Sequence, residues 1–330
     1  MDITTARKRE RMVNREDLES LANDLRRQVS RPSDGIFGPE SLSWRIHRES
    51  ALFLAAGRAA LLQLAHPWVA AAINQHSSVI SKPIQRFHNT FRVVFTMIFG
   101  SADQAIRAAQ SLHELHSRIR GSLPEAVAGY AAQSVYQANE IGALRWVFAT
   151  LIESAVVAFD SVVATLSEEE REAYYAETRM LANLFGIPGN ALPQDWRSFK
   201  DYVAGMVESK ELGVNDWARV MGQRILAGAG SWIRVPRWYR ALTAQWLAPR
   251  FVAEFGLPFG EPEAESARRA QRLLPRVYRN LPSALRFVGP YHEACARLGQ
   301  RPSGFLVQRS NRFWIGEAML PFRENNSLRQ

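Results

Sequence analysis

ALFLAAGRAALLQLAHPWVAAAI, at residues 51–73, is the most apolar stretch of the sequence. Its apolar residues repeat at helical spacing, and the same pattern runs on from Trp44 without clean alternation over strand lengths until the final residues. A period near 3.6 residues predicts helices. The sequence therefore predicts an all-α fold built as a single large helical domain.

Neither of the two most apolar runs is predicted to cross a membrane. Arg58 and His66 interrupt the first run, and the second run, residues 146–164, carries Glu153 and Asp160. Charged side chains are costly at the centre of a bilayer. We expect both runs to be helices buried in a core.

The helical pattern breaks at prolines and glycines. Ser167 and Glu170 form the signature of a capping box, which predicts that a helix begins there. Three parts are predicted: a charged helical arm at 1–35, with its helix from about Thr5 to Arg31, the main domain at 36–300 and a tail at 301–330. The helices of the main domain are expected near 39–49, 50–75, 83–98, 101–120, 138–165, 167–186, 195–208, 215–227, 236–255, 263–280 and 283–298.

The net charge of +9 comes from 41 basic against 32 acidic residues, and only four of the basic residues are lysines. Arginine suits fixed pairing with carboxylates and phosphates, so haem propionates, anionic lipid and nucleic acid are all chemically admissible partners. An arginine-rich solvated surface is the simpler interpretation. The sequence has no nucleic-acid-binding motif, and we predict no nucleic-acid partner.

Cys295 is the only cysteine, which excludes a disulfide framework and cysteine-rich metal sites. The first seventeen residues are charged and no apolar stretch follows them, so we expect no secretory signal peptide. A cytoplasmic location is predicted, with peripheral contact to a membrane left open. The sequence does not indicate an oligomeric state.

Several common catalytic motifs are absent from the sequence. It contains no phosphate-binding glycine loop, no GxSxG and no HExxH. A di-iron bundle needs Glu-x-x-His on two helices, and this spacing does not occur. A helical protein without these motifs is expected to bind something apolar or to use a cofactor.

Five histidines, from His66 to His116, lie close together in the sequence near Arg58, Arg86 and Thr90. On the predicted helix 101–120, His113 and His116 are three residues apart, and Arg120 follows four residues after His116. An imidazole can bind iron through one nitrogen while a hydrogen bond holds the other. A structural role for any one histidine, and a surface ion pair for Arg120, are the alternatives.

Several short motifs, taken in order, resemble one known family. They are Gly57–Pro67 (GRAALLQLAHP) with Val69–Ala71 and His76-Ser77, then Arg86–Thr90, Phe99-Gly100, His116–Gly121 (HSRIRG), Trp146–Leu151 (WVFATL), Tyr174-Tyr175, Gly186–Pro188 and Leu281–Arg286. The chain is similar over about residues 40–290 to the rubber oxygenase (latex clearing protein) and mycophenolic-acid-pathway (MpaB) oxygenase family. This resemblance implies an enlarged globin-like core that holds haem b.

The resemblance also implies roles for individual residues. His116 matches the iron ligand, and Arg86 and Thr90 match polar residues on the opposite side of the haem. Asn89 stands where the rubber enzymes have a lysine, and Phe148 stands where many relatives have histidine. An amide is a poor iron ligand, so an open or water-bound distal position is expected. Arg58, His66 and Arg120 are further candidates for cofactor binding, and His66 is equally well explained as structural.

The implied reaction is the cleavage of a C=C bond of an apolar, isoprenoid-like substrate by O2 to give two carbonyl groups. Arg86, Asn89 and Thr90 are the catalytic candidates. Two alternatives remain: a haem- or lipid-binding helical protein without turnover, and a metal-independent protein in which His116 is structural. An aromatic and arginine cluster around Trp232, Trp238 and Trp246, with Arg234, Arg237 and Arg240, indicates either core packing or a substrate entrance.

Overall fold

A computed structural model describes residues 11–76, 83–228 and 235–322. Helices dominate this part of the chain, and the all-α prediction is confirmed. The helices are α1 (Arg15–Gln28), α2 (Leu42–His47), α3 (Ala56–Leu64), α4 (Pro67–His76), α5 (Pro83–Phe99), α6 (Ala102–Ser117), α7 (Ile141–Val162), α8 (Glu168–Leu184), α9 (Trp196–Glu208), α10 (Asp216–Ala227), α11 (Arg237–Gln245), α12 (Pro249–Glu254), α13 (Glu261–Arg279), α14 (Ser283–Arg286), α15 (Gly289–Leu298) and α16 (Phe305–Ile315).

A small antiparallel hairpin links α6 to α7. Its strands are β1 (Arg120–Ser122) and β2 (Val135–Gln137), with Gly121 opposite Tyr136. A Cβ at Gly121 would lie 2.4 Å from Oε1 of Gln75 and 2.6 Å from the Tyr136 hydroxyl. Glycine is therefore needed where the hairpin crosses the end of α4.

Helix α7 forms the centre of the core. Its Trp146 and Phe148 are fully buried, and the Trp146 indole Nε1 donates to the carbonyl oxygen of Leu62 on α3 at 2.8 Å. Among the described residues α7 is the one helix long and apolar enough to cross a membrane, but 72% of its most apolar window is buried inside the protein. Such burial is typical of a core helix.

Most helix boundaries follow the prediction, and the differences occur mainly at prolines. The capping box of Ser167 and Glu170 is confirmed at the start of α8. The expected helix 236–255 is divided into α11 and α12 because Pro249 begins a new helix. Likewise Pro290 lies in the first turn of α15 and separates it from α14. A residue that precedes proline is disfavoured in the α conformation.

Both ends of the described chain pack more closely against the core than the sequence predicted. Leu18 and Leu25 of α1 are buried in the main core, so the helix is not a peripheral arm. The expected tail contains α16, whose Ile315 is fully buried. The buried positions of each helix are few but lie on one side, which suffices to dock a short helix. The expected start of the first helix, residues 5–10, lies outside the described residues.

Candidate functional site

Helices α5 and α6 form the frame of the candidate site. The turn between them is tight because Gly100 is buried and a Cβ there would lie 2.4 Å from the carbonyl oxygen of Thr96. Joined by this short turn, the two helices run back along each other. The start of α5, with Arg86, thereby comes close to the end of α6, with His116.

The electrostatics of His116 reflect this proximity. The pKa of His116 is lowered to about 4, first by burial, then by the positive charges of Arg86 and His113. The imidazole is therefore neutral at pH 7. A neutral imidazole offers the lone pair that a metal ion requires.

The His116 side chain is also oriented by Asn139, the residue just before the cap of α7. A side-chain hydrogen bond with Asn139 raises the pKa of His116, an effect smaller than those of burial, Arg86 and His113. The amide Nδ2 of Asn139 donates to the carbonyl oxygen of His113 at 3.2 Å, which leaves the amide oxygen as the acceptor for an imidazole N–H. We infer that one ring nitrogen of His116 is held in this way and that the other is the acceptor or ligand atom.

Residues around the start of α1 hold this arrangement in place. The backbone N–H of Val13 donates to the carbonyl oxygen of Asn139 at 3.0 Å, and the Val13 carbonyl oxygen lies 3.1 Å from Nε2 of His113. His113 is therefore occupied with the backbone, and His116 is the histidine of this pair that fits a ligand role.

The three catalytic candidates on α5 lie at i, i+3 and i+4, on one side of the helix. Arg86, Asn89 and Thr90 are all exposed to solvent, and the Thr90 hydroxyl donates to the carbonyl oxygen of Arg86 at 3.1 Å. Burial nevertheless lowers the pKa of the Arg86 guanidinium. We infer that Arg86 and His116 line a recess, because Arg86 is exposed although burial lowers its pKa, and His116 is half-buried.

The other predicted cofactor-binding residues lie in different contacts. Arg58 is buried, and its three nitrogens donate to the carbonyl oxygen of Trp246 at 2.8 Å, to the Ser154 hydroxyl at 2.8 Å and to Glu153 at 2.6 Å. This guanidinium is engaged in joining helices, so we leave Arg58 out of the proposed site.

His66 and Arg120 likewise make contacts with other groups. His66 is fully buried, its Nε2 lies 3.3 Å from the Tyr130 hydroxyl, and its ring packs near Trp68. Arg120 is not on α6, which ends at Ser117, but on strand β1 opposite Gln137. The expected helical spacing from His116 to Arg120 is therefore wrong, because hairpin pairing replaces the last helical turn.

Phe148 and the aromatic cluster have separate locations. Phe148 is buried in the core face of α7. Trp232 and Arg234 lie outside the described residues, whereas Trp246 is half-buried and supplies the carbonyl that Arg58 binds.

Asn139 is the residue that sequence reasoning missed. An asparagine between a hairpin and a helix carries no local pattern to distinguish it from an ordinary cap.

Within the described ranges no group of three or more histidine, cysteine or acidic side chains could hold a metal ion. A haem iron differs from such a site because the porphyrin supplies four ligands and the protein needs to supply only one or two. His116 with Asn139 behind it has the chemistry of such a single ligand. Arg86 has the charge that a propionate would require.

Residues 44–280 match the family described as ER-bound oxygenase mpaB/B'/Rubber oxygenase, catalytic domain. The match covers well over half of the chain and agrees with the resemblance found in the sequence motifs. The comparison with curated proteins found no match, and neither did the comparison with solved structures. The globin-like character of the core stays a prediction.

Proposed function

The chain belongs to the family of ER-bound oxygenases mpaB/B' and rubber oxygenases, and from this premise we propose that it is a haem b-dependent oxygenase acting on an apolar, isoprenoid-like alkene. In the proposed reaction O2 cleaves one C=C bond into two carbonyl groups. Both oxygen atoms end in the products, so the overall reaction needs no external reductant.

The observation that carries the proposal is the neutral, oriented imidazole of His116 beside Arg86. In this proposal His116 binds the haem iron through its free nitrogen, and Asn139 keeps the ring in one tautomer. When bound, haem b would supply the activation of O2. Arg86 would hold a propionate or donate hydrogen bonds in the recess, since its charge lies within electrostatic range of His116.

The remaining residues of the recess would orient the reactants and limit water. Asn89 and Thr90 offer hydrogen-bond donors on the same side of α5 as Arg86. The rings of Phe87 and Phe91 on α5, 4.6 Å apart, form part of an apolar cluster next to this turn. Apolar surroundings of this kind suit an alkene better than a polar substrate.

Two differences from the relatives favour a second candidate, a haem- or lipid-binding protein without turnover. Asn89 replaces the lysine of the rubber enzymes, and Phe148, which replaces a histidine of many relatives, is buried in the core. Both changes remove groups able to take part in proton transfer or iron binding. The two candidates share haem binding and differ in the consumption of O2.

The test is an oxygen-consumption assay on haem-loaded protein with squalene, compared with its saturated analogue squalane. The proposal expects O2 uptake and carbonyl products with squalene, neither with squalane, and a clear loss of rate in Arg86→Ala. A haem-loaded protein that consumes no O2 with squalene or with polyisoprene contradicts the oxygenase and favours the binding protein.

The location and partners are likewise proposals. We propose a cytoplasmic protein in peripheral contact with membranes, without a nucleic-acid partner. The words ER-bound in the description of the family support the membrane contact.

A further inference from the structure

Helix α16 lies directly beside the candidate site. Its last turn is fixed to α5, where Nε2 of His88 lies 3.0 Å from the carbonyl oxygen of Phe313, and Arg92 donates to the carbonyl oxygen of Ile315 at 3.0 and 2.9 Å. His88 is next to Asn89 in the chain. The end of α16 is therefore adjacent to the turn of α5 that carries the catalytic candidates.

The outer side of α16 exposes large apolar side chains that the described part of the chain does not cover. Phe305, Leu306 and Phe313 are 68%, 77% and 60% exposed, whereas Asn311 and Ile315 on the inner side are buried. Clustered exposed phenylalanine and leucine side chains are unusual on a soluble surface and mark interaction sites.

The same side of α16 is positively charged. Arg309 and Arg312 are exposed between the apolar residues, and neither makes an ion pair within the part of the chain that the structure describes. The helix itself contains no acidic residue. The nearest acidic residue in the chain, Glu317, lies 3.5 Å from Nη2 of Arg92.

We propose that this face of α16, made of Phe305, Leu306, Arg309, Arg312 and Phe313, docks on the surface of an anionic phospholipid bilayer. A helix with apolar side chains and arginines on its exposed side has the character of an interfacial helix. The apolar side chains would enter the headgroup boundary while the two guanidinium groups pair with lipid phosphates.

Helix α13 also exposes apolar side chains but differs from α16 in the residues around them. Leu273 and Val277 of α13 are also exposed, at 56% and 59%. Three arginines of α13, Arg268, Arg269 and Arg272, pair with Glu265 of the same helix, whereas Arg276 and Arg279 are exposed and make no ion pair among the described residues. What α13 lacks is the exposed aromatic side chains of α16.

Docking through α16 would place the recess at Arg86 near the bilayer and would let an apolar substrate pass from lipid to the site without crossing water. This consequence rests on the proposed function. The docking itself does not, because it can be measured without haem or substrate.

The test is cosedimentation of the full chain with vesicles of phosphatidylcholine, alone or mixed equally with phosphatidylglycerol. We expect binding to the anionic vesicles and little to the neutral ones. Arg309→Gln/Arg312→Gln should weaken binding about 30-fold, from the usual contribution of two arginines near an anionic surface. Phe305→Ser/Leu306→Ser/Phe313→Ser should abolish it.

The matched control is Leu273→Ser/Val277→Ser on α13, which should bind as the parent does, with circular dichroism verifying that every variant is folded. Absence of binding by the parent, undiminished binding by the triple variant, or an equal loss in the α13 control would overturn the proposal. So would a dimer in solution that the triple variant converts to monomer, because the face would then join two copies of the chain.

Discussion

Asn139 lies outside the recognisable motifs and acts on His116 through its side chain. A side-chain hydrogen bond with Asn139 raises the pKa of His116, and the amide of Asn139 donates to the carbonyl oxygen of His113. Partners of this kind fix the tautomer of a metal-binding histidine and raise its affinity for the metal. A substitution of Asn139 therefore tests the partner of His116 while the candidate ligand itself is kept.

We expect Asn139→Leu to weaken haem binding by roughly 10- to 100-fold, the usual loss when such a partner is removed. A haem titration followed by absorbance measures the change. Asn139→Asp keeps an acceptor oxygen and should remain closer to the parent. Equal affinities for the parent and the leucine variant would show that Asn139 plays no part in holding the ligand.

The identity of His116 as the candidate ligand could be predicted from the sequence, but its surroundings could not. The histidine, Arg86 and Thr90 stand in motifs that resemble those of a known family. Asn139 and Val13 come from distant parts of the chain and meet His113 only in the folded structure. No local pattern encodes a hydrogen bond between a backbone carbonyl before α1 and a side chain on α6.

Arg58 joins three helical segments through its guanidinium. Its guanidinium connects α3 to Glu153 and Ser154 on α7 and to the carbonyl oxygen of Trp246 after α11. Removing one partner of a buried ion pair leaves the other partner without compensation. The role of Arg58 should therefore appear in stability.

We predict that Arg58→Met lowers the free energy of unfolding by about 3 kcal/mol while haem binding per folded molecule is retained. Urea unfolding gives the first quantity and haem titration the second. Arg268→Met, which breaks exposed ion pairs on α13, should change stability by less than about 1 kcal/mol. A loss of haem binding by folded Arg58→Met would restore the cofactor-binding role.

The helices themselves were well predicted, and the errors have simple causes. Periodic apolar residues located α5, α7 and α8 within a few residues, whereas Pro249 and Pro290 divided helices that the periodicity had joined. Helix α16 was not predicted, because Asn311 and Ile315 are its only buried residues. A helix that buries so little leaves no apolar period in the sequence.

The stability of the entire chain should fall in mild acid because two histidines are neutral in the folded state. The pKa of His47 is lowered to about 4 by burial, as is that of His116, against an ordinary value of 6.5. The unfolded chain binds these protons more readily, so stability is complete above about pH 6.5 and decreases as the pH falls toward 4.

Between pH 7 and pH 5 we expect His47 to contribute a loss of about 2 kcal/mol. Urea unfolding at the two pH values measures it. His47→Gln keeps a polar partner for the Tyr174 hydroxyl, which lies 2.9 Å from Nε2, but cannot titrate. This variant should lose correspondingly less stability on acidification, and an unchanged pH dependence would contradict the buried neutral histidine.

The claim that His116 holds haem is tested most directly by the visible absorption spectrum of protein produced with ample haem. We predict a Soret band with close to one haem per chain in the parent, and a band that is lost or shifted in His116→Ala. The variant His113→Ala should keep the band position, because His113 contacts the backbone of Val13. A parent protein without iron and porphyrin, or a spectrum identical in His116→Ala, would contradict the account.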